Sequence, residues 1–386
     1  MKLMGYRRQD GSVGIRNHVL ILPCSLCASE TARFAAGLVP GAVYLPNQGG
    51  CGLSKRDLEM TLEVFSGLAA NPNVYGTVLI GNHCETVQAE LLAERIRQKT
   101  DKPLEMVIIR AAGGAIRAAE QAARLASQMV RDAGQVEKTP FALSELILAT
   151  ECGGSDPTSG LAANPVLGHV SDRVVEAGGT VILSETSELV GTESILAPRC
   201  KDEATAQKLL AIIQDNEAHF RRAGDDLRSG NPAPGNIKGG ITTIEEKSLG
   251  CIHKAGTSTI QAVYGYGEQV REKGLVVMDT PGQDIASVVA MAAGGAQIVL
   301  FTTGCGTPTG NALVPVLKLT ANAETARLMA DHIDFDASAV ITDGKPISAV
   351  GEELFEQMLH VVCGKQTKAE SLGFCEMSLA RMCNFT

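Results

Sequence analysis

The chain has 386 residues, 45% of them hydrophobic and 20% charged, a globular composition that excludes a disordered chain or a coiled coil. At roughly 150 residues per domain, this length predicts two or three domains. The net charge of −9 and the aromatic content of 4% argue against nucleic acid or an anionic membrane as a partner, but not against a small anionic substrate.

The sequence shows no targeting or membrane-spanning signal. The first residues carry charges but no apolar signal-peptide core, and the apolar run 285–301 contains polar residues and glycines that predict a buried helix followed by a strand. We therefore expect a cytoplasmic protein. There, the 11 cysteines would be reduced and would serve in metal binding, catalysis or core packing rather than in disulfides.

Short β-rich apolar runs alternate with helical patterns, which predicts an α/β fold with mainly parallel sheets. The predicted strands are 18–23, 42–46, 76–81, 105–110, 146–150, 180–184, 275–279 and 297–302. Helical spacing is clear at 55–69, 86–99 and 115–133. A boundary near Thr139 predicts two α/β domains, 1–138 and 139–386, and the Gly- and Pro-rich stretch 228–240 is expected to be a long loop in the second domain.

Many of the predicted strands end in Gly-rich turns that carry cysteine or polar residues. Such turns include 24–27, 47–52, 81–85, 151–156, 184–185, 279–282 and 302–306. Ligands of parallel sheets bind at the carboxyl ends of the strands, where glycine lets the backbone approach closely. The pattern therefore predicts a site at the carboxyl ends of the strands, between the two domains.

Four cysteines in these turns, Cys27, Cys51, Cys84 and Cys152, are candidate metal ligands. Three thiolates can hold an iron–sulfur cluster and leave one iron open, whereas thiolates mixed with histidine or carboxylate can hold a single soft ion. His83, beside Cys84, is a candidate metal ligand or proton-transfer group. For each thiol, the alternative of a small buried hydrophobic residue stays open.

Further polar residues are candidates for substrate binding. Ser155 and Asp156 open a helix that also carries Asn164, and they either cap this helix or bind a carboxylate or polyol. The turn that starts at Thr302, Thr303 and Gly304 lacks the dinucleotide fingerprint and fits a substrate better. Lys238, next to two glycines, is either an exposed loop residue or a carboxylate-binding group or base; Arg16 and Asn17 are candidates for an anion clamp.

Taken together, the segments 11–17, 50–52, 151–156, 236–240 and 301–304 resemble the altronate/galactarate dehydratase family. The resemblance implies an iron-dependent lyase, with Fe²⁺ or an iron–sulfur cluster, that removes water from a sugar acid and forms a 2-keto-3-deoxy acid. Many members carry a small SAF domain before the matched region. Here this implies a separate small subunit, and we expect an oligomer.

The resemblance also suggests roles for the candidate residues. Iron would be held by some of Cys51, Cys84 and Cys152, with Cys27 or His83; Lys238 or His83 would be the base; and Asp156, Ser155 and Thr303 would orient the polyol. Three activities stay open: a sugar-acid dehydratase, a sulfolactate sulfo-lyase that releases sulfite on the same scaffold, and a non-catalytic subunit that binds a metal or metabolite.

Overall fold

A computed structural model of the chain describes residues 2–380 and shows an α/β fold with two parallel sheets, which confirms the predicted fold class. The strands are β1 Met4–Arg7, β2 Val13–Gly14, β3 His18–Pro23, β4 Ala42–Tyr44, β5 Val74–Gly81, β6 Leu104–Ile108, β7 Thr139–Pro140, β8 Ile147–Cys152, β9 Thr180–Leu183, β10 Ile260–Tyr264, β11 Gly274–Met278, β12 Ile298–Thr302, β13 Val316–Thr320 and β14 Phe335–Asp336. All eight predicted strands are present.

The α-helices alternate with these strands. They are α1 Leu26–Gly37, α2 Lys55–Ala70, α3 Ala89–Arg97, α4 Ile109–Ala112, α5 Ala115–Ala133, α6 Asn164–Glu176, α7 Glu193–Leu196, α8 Glu203–Arg222, α9 Leu227–Gly230, α10 Pro234–Gly239, α11 Ile244–Cys251, α12 Asp284–Ala293, α13 Ala323–Leu328, α14 Ala339–Thr342, α15 Ile347–Val362 and α16 Lys368–Leu372. The three predicted helices correspond to α2, α3 and α5. No helix within residues 2–380 is both long and apolar enough to span a bilayer.

The N-terminal sheet has the order β4-β3-β5-β6, and all its strand pairs are parallel. Its central strands are nearly continuous apolar runs because helices cover both faces. The small side chains of α1 and α5 pack on one face and α2 and α3 on the other. The chain leaves β3 toward β4 and returns to β5 on its opposite side, so the carboxyl ends of β3 and β5 form a topological switch point.

The C-terminal sheet has the order β10-β11-β9-β8-β12-β13-β14, again entirely parallel. The central strand β8 continues to β9 on one side, whereas β12 on its other side is reached later through α12. The carboxyl ends of β8 and β12 therefore form a second switch point, where a ligand site is expected.

The two halves share one hydrophobic cluster, in which Phe65 and Leu68 of α2 pack with Met291 of α12. Two buried amides reinforce this contact. Asn71 donates to the carbonyls of Ala292 and Ala296, at 2.7 and 2.8 Å, and Asn73 donates to carbonyls of the C-terminal half at 2.9 and 3.0 Å. Because α2 and α12 each begin at the carboxyl edge of their sheet, the packing brings the two edges toward one groove.

The stretch 228–240 differs from the predicted long loop, because it contains most of α9 and all of α10. The Asp226 side chain accepts a hydrogen bond from the Arg228 N–H at 2.9 Å, which starts α9, and Pro234 suits the first turn of α10. Gly240 ends α10 in the left-handed region, with φ of 112°. Capping residues thus formed two short helices in a segment whose composition predicted a loop.

Candidate active site

A buried cluster of thiols, carboxylates and lysines lies at the carboxyl edge of the C-terminal sheet. Strand β8 ends with Glu151 and Cys152, and Glu185 comes two residues after β9. The short 3-10 helix Thr186–Leu189 adds Glu188, and α11 with the turn behind it adds Lys247, Cys251 and Lys254. Three chain segments that are distant in sequence therefore meet at the carboxyl end of β8.

Cys152 is at the centre of the cluster. Its Sγ lies 3.0 Å from Glu188 Oε2, 3.6 Å from Glu185 Oε1 and 3.9 Å from Cys251 Sγ. Among residues 2–380, these four form the one group of three or more His, Cys, Asp or Glu side chains whose ligand atoms all lie within 4.8 Å of one another. None of the four is more than 2% exposed.

Two lysines pair with the two carboxylates. Lys254, which is fully buried, forms an ion pair with Glu185, and Lys247 Nζ lies 2.5 Å from Glu188 Oε1. Burial acts to lower the pKa of both lysines, but the nearby carboxylates and thiols outweigh it and raise each pKa above its ordinary value. Both lysines are therefore cations at neutral pH.

The carboxylates in turn respond differently to this environment. Burial and the charge of Glu188 raise the pKa of Glu185. At Glu188, burial acts to raise the pKa, but the nearby cations Lys247 and Lys254 outweigh it and lower the pKa overall. Hydrogen bonding to Cys251 and burial raise the pKa of Cys152.

Two further carboxyl groups near the cluster have raised pKa values. Glu151 is fully buried; its Oε2 accepts from Ser184 and Ser287 at 3.1 and 2.6 Å, and its Oε1 has no partner among the described residues. Burial and Glu185 raise its pKa well above the ordinary value. Asp284, in the first turn of α12, is half-buried, and burial with Glu185 raises its pKa to about 7. It can thus give or take a proton near neutral pH.

The donor set of the cluster is compatible with a metal ion. With a metal bound, two thiolates and two carboxylates would carry four negative charges, which the two lysines and a divalent ion would balance. Buried Glu151, beside this set, offers a further oxygen without a hydrogen-bond partner among the described residues. If a soft divalent ion such as iron binds, Cys152, Cys251, Glu185 and Glu188 are the residues that would hold it.

A cavity of about 290 Å³ opens beside the cluster. Lys247 and Cys251 line its inner wall, and the exposed side chains of Leu161 and Leu249 border it. A π-helical turn, Ser159–Ala163, forms part of the wall where Gly160 meets Gly250. A Cβ on Gly250 would lie only 3.0 Å from the Gly160 Cα, so glycine lets these two segments approach.

Several residues predicted from the sequence line or support this cavity. Ser155, Asp156 and Asn164 lie in its wall. Asn164 accepts a hydrogen bond from the Thr302 hydroxyl at 2.6 Å and donates to the Gly250 carbonyl at 2.9 Å, so Thr302 positions Asn164. The structure thus brings together three predicted segments.

Asp156, Thr303 and Gly304 have mainly structural contacts. The Asp156 carboxylate accepts from Thr158 at 2.6 Å, from the Ser159 N–H at 3.1 Å and from Asn322 at 2.9 Å, so both its oxygens are engaged. The Thr303 hydroxyl accepts from the Gly306 N–H at 3.0 Å. A Cβ on Gly304 would lie 2.3 Å from Asp156 Cγ, which leaves no space for a side chain.

Arg16 and Asn17, predicted as an anion clamp, make hydrogen bonds within the chain, and their role in anion binding stays a prediction. They precede β3 and lie at the amino end of the sheet, opposite the carboxyl edge. The five N–H groups of Arg16 donate to Glu370 and to the carbonyls of residues 15, 361 and 365. Asn17 accepts from Arg8 and donates to the Ala133 carbonyl. These hydrogen bonds hold neighbouring chain segments together.

Lys238 lies in a short helix rather than in a loop. It is exposed in the last turn of α10, and Gly239 beside it contacts Asp156. It is absent from the lysines of the buried cluster, whose members are Lys247 and Lys254. Its role as a base stays a prediction.

The other three predicted metal ligands lie apart from Cys152. Cys27, Cys51 and Cys84 are exposed at the carboxyl edge of the N-terminal sheet, as is His83, whereas Cys152 is buried with Cys251. A metal site shared by all four cysteines stays a prediction.

Sequence reasoning missed Glu185, Glu188, Lys247, Cys251 and Lys254 as members of the cluster. The polar turn after β9 was a usable signal for Glu185, since it matches the turns that carry the predicted residues. Cys251 and Lys254 lie in helical segments without a distinguishing pattern, and only the tertiary fold brings them to β8.

A cavity beside paired acids and bases, at the carboxyl ends of a parallel sheet, is typical of the active site of an α/β enzyme. The comparisons give the family. Residues 143–384 match the family model of the D-galactarate/altronate dehydratase C-terminal domain, and residues 5–134 match that of the D-galactarate dehydratase/altronate hydrolase second domain. The chain belongs to the D-galactarate/altronate dehydratase family, whose dehydratases are hydro-lyases.

Three relatives show the range of this family. The chain is 36% identical to altronate dehydratase of Escherichia coli, over 97% of this chain and 76% of the relative. It is 37% identical to (2R)-sulfolactate sulfo-lyase subunit beta of Chromohalobacter salexigens, over 98% and 97%. It is 32% identical to galactarate dehydratase (L-threo-forming) of Escherichia coli, over 94% and 73%.

Proposed function

We propose that the chain is a dehydratase that removes water from a sugar acid of the altronate or galactarate type and leaves a 2-keto-3-deoxy acid. The observation that carries the proposal is the buried thiol–carboxylate–lysine cluster beside a cavity, in a chain of this family. The dehydratase relatives support the reaction class.

The chemistry needs a cation for the substrate carboxylate, a base for the adjacent C–H and an acid for the leaving hydroxyl. Lys247 lines the cavity and stays protonated, so it binds the carboxylate and stabilises the negative charge that develops after proton removal. His253, an exposed imidazole in the cavity wall, is the base. Asp284 at the same sheet edge, with a pKa of about 7, protonates the departing hydroxyl. The resulting enol then becomes the ketone.

Iron bound to Cys152, Cys251, Glu185 and Glu188 would supply a Lewis acid for the substrate oxygens. Lys254 holds Glu185 in place through their buried ion pair, and the Cys152 N–H donates to Glu185 Oε2 at 3.0 Å. We also propose a small partner subunit and an oligomeric enzyme, which the designation of one relative as a subunit supports.

The test is incubation of the purified chain with a panel of aldonic and aldaric acids, with detection of a 2-keto acid and the loss of one water by mass spectrometry. Cys152→Ser should abolish turnover and reduce bound metal while the circular dichroism spectrum stays unchanged. Cys200→Ser, a half-buried thiol outside the cluster, is the matched control and should keep both. Normal turnover in Cys152→Ser would contradict the proposed site.

A sulfo-lyase is the second candidate, because the sulfolactate relative matches as strongly as altronate dehydratase does. The same base and cation serve its elimination, but the leaving group is sulfite, which needs less protonation. Sulfite release from (2R)-sulfolactate, without keto-deoxy product from any sugar acid, would select this activity. Asp284→Asn should then slow turnover far less than it slows a dehydration.

A further inference from the structure

A second cavity, of about 450 Å³, lies at the amino ends of the strands of the N-terminal sheet. Tyr75, near the start of β5, and Pro103, just before β6, are in its wall, together with the segments 7–10 and 97–102. Its lining holds five basic and two acidic residues, although the whole chain has a net charge of −9. Among the described residues, it shares no lining residue with the cavity beside Cys152, so it is a separate site.

Arg8 is a buried cation in the wall of this cavity. It is 8% exposed, and its guanidinium donates to the carbonyls of Pro72 and Arg16, at 2.8 and 3.2 Å, and to Asn17 Oδ1 at 2.7 Å. These acceptors are neutral, and they take three of the five N–H groups. Burial lowers the pKa of Arg8 to about 10, so it stays charged at neutral pH, and no residue within 2–380 forms an ion pair with it.

Lys102 adds a second cation beside Arg8. Its Nζ donates to the carbonyls of Ala70 and Asn71, at 2.8 and 2.6 Å, and the part of the chain that the structure describes offers it no ion pair. Burial and the charge of Arg8 lower the pKa of Lys102 well below its ordinary value, although Asp10 acts to raise it. The two carbonyls belong to the end of α2, whose dipole supplies only about half a negative charge. The two neighbouring cations therefore lack a full counter-charge.

The remaining charges of the lining do not supply this counter-charge. Arg7 pairs with Glu145 at 3.0 Å and Lys99 with Glu63 at 2.7 Å, so these two cations are balanced by acids outside the lining. Arg97, the last residue of α3, is exposed and adds a further positive charge, and the two acids of the lining are also exposed. Burying a cation without an anion is costly, so this arrangement indicates a bound anion.

We propose that this cavity binds a small oxyanion with two negative charges, either a phosphate group or a dicarboxylate. The free N–H groups of Arg8 suit the paired oxygens of such a ligand, and the ammonium of Lys102 adds a point charge. The volume of the cavity is typical of a site for a small metabolite. Substrates of parallel sheets bind at the carboxyl ends of the strands, whereas this ligand binds at the amino ends, so it acts as an effector.

The contacts of the two cations place the site beside the joint between the two halves. The carbonyls that they bind belong to residues 70–72, next to the amides of Asn71 and Asn73, which hold the C-terminal half. A bound anion would fix Arg8 and Lys102 and, through them, this turn. The ligand should therefore stabilise the arrangement of the two halves.

The experiment is isothermal titration calorimetry of the full chain with three ligands, inorganic phosphate, glycerol 3-phosphate and succinate, at constant ionic strength with chloride as the reference anion. We expect a dissociation constant of about 1 mM or less for at least one ligand. Lys102→Met should weaken binding at least about tenfold, and Arg97→Ala, which removes an exposed side chain, about two- to fivefold. Arg110→Ala removes an exposed cation outside the cavity; it is the matched control and should keep the affinity within about twofold.

The three ligands also separate the two sources of the anion. Tighter binding of either phosphate compound than of succinate identifies a phosphate site, and the reverse order identifies a dicarboxylate site. Thermal unfolding is the second readout, because a ligand of the folded state raises its melting temperature. The rise should be present in the wild type and in Arg110→Ala, and smaller in Lys102→Met.

Absence of binding for all three ligands up to about 10 mM would overturn the proposal. So would an affinity that stays unchanged in Lys102→Met, provided that its circular dichroism spectrum matches that of the wild type. Neither readout needs turnover, so the result is independent of the proposed dehydration.

Discussion

The ion pair between Lys254 and Glu185 is the most sensitive point of the buried cluster. Both side chains are fully buried, so Lys254→Met leaves Glu185 without its cation in a place that water does not reach. Removing one partner of such a pair costs about 3–5 kcal/mol. Protonation of Glu185 sets an upper limit on this free-energy cost, because the carboxylate can take up a proton instead of staying charged. With an ordinary pKa of 4.5, protonation at pH 7 costs about 3.4 kcal/mol. We therefore expect Lys254→Met to lose about 3 kcal/mol at pH 7.

The pH dependence gives this prediction a signature. In the variant, the pKa of Glu185 in the folded state lies far above its unfolded value, so the folded state binds the proton first. Relative to the wild type, the penalty grows as pH rises above the raised pKa that Glu185 already has there and shrinks as pH falls toward it, by up to about 1.4 kcal/mol per pH unit. The measurement is the free energy of unfolding from urea titrations at pH 5, 6 and 7, for the variant and the wild type.

The double variant Lys254→Met/Glu185→Gln is the matched control. It removes both charges and keeps an oxygen for the Cys152 N–H, so it should lie within about 1 kcal/mol of the wild type. A loss below about 0.5 kcal/mol for Lys254→Met at pH 7, or a loss that does not change with pH, would show that the pair is hydrated or that Glu185 is already neutral.

Three further predictions concern single residues. Asp284→Asn should raise the free energy of unfolding at pH 8 but not below pH 4, because the pKa of about 7 makes the ionised carboxylate costly in the folded state. The pKa change is worth about 4 kcal/mol at most, and about 2 kcal/mol once partial exposure is allowed for. The variant should also lose the ionisation near pH 7 from its pH–rate profile. Gly304→Ala should lose about 1–3 kcal/mol in urea titrations because its Cβ meets Asp156, whereas Gly37→Ala, with open space around it, should be neutral or slightly stabilising. Arg16→Lys should lower the melting temperature, because the loss of the bidentate contact with Glu370 costs about 2 kcal/mol. It should leave kcat and KM within twofold of the wild type. A rise in KM without a change in kcat would instead support Arg16 as an anion clamp.

The fold was accessible from the sequence because the central strands are buried on both faces and read as continuous apolar runs. Strand β13 was missed for the opposite reason: Lys318 interrupts its apolar run, yet this lysine is fully buried and donates to the Thr309 carbonyl at 2.8 Å. A pattern rule treats such a lysine as exposed. Strand β10 was missed because Gln261 and Ala262 at its centre give no clear alternation.

The candidate site was only partly accessible. Turns after strands pointed to Ser155, Asn164 and Cys152, since the position of a strand end follows from local sequence. Cys251, a partner of Cys152, lies in α11, about 100 residues later in the chain. No local sequence pattern indicates that two segments so far apart in sequence come together. The placement of a residue before a strand, as for Arg16, was a usable warning, because the amino end of a parallel sheet is not its binding edge.

The amides of Asn71 and Asn73 have a consequence for how the molecule can move. Four of their hydrogen bonds reach carbonyls of the C-terminal half, and they lie under a continuous apolar cluster. A hinge motion between the halves would break all of these contacts at once. Domain closure around a substrate would therefore carry a high free-energy cost. Access to the groove must come from surface segments. For the same reason, neither half should fold as a separate polypeptide, and a chain cut at residue 138 should regain structure only when both pieces are mixed.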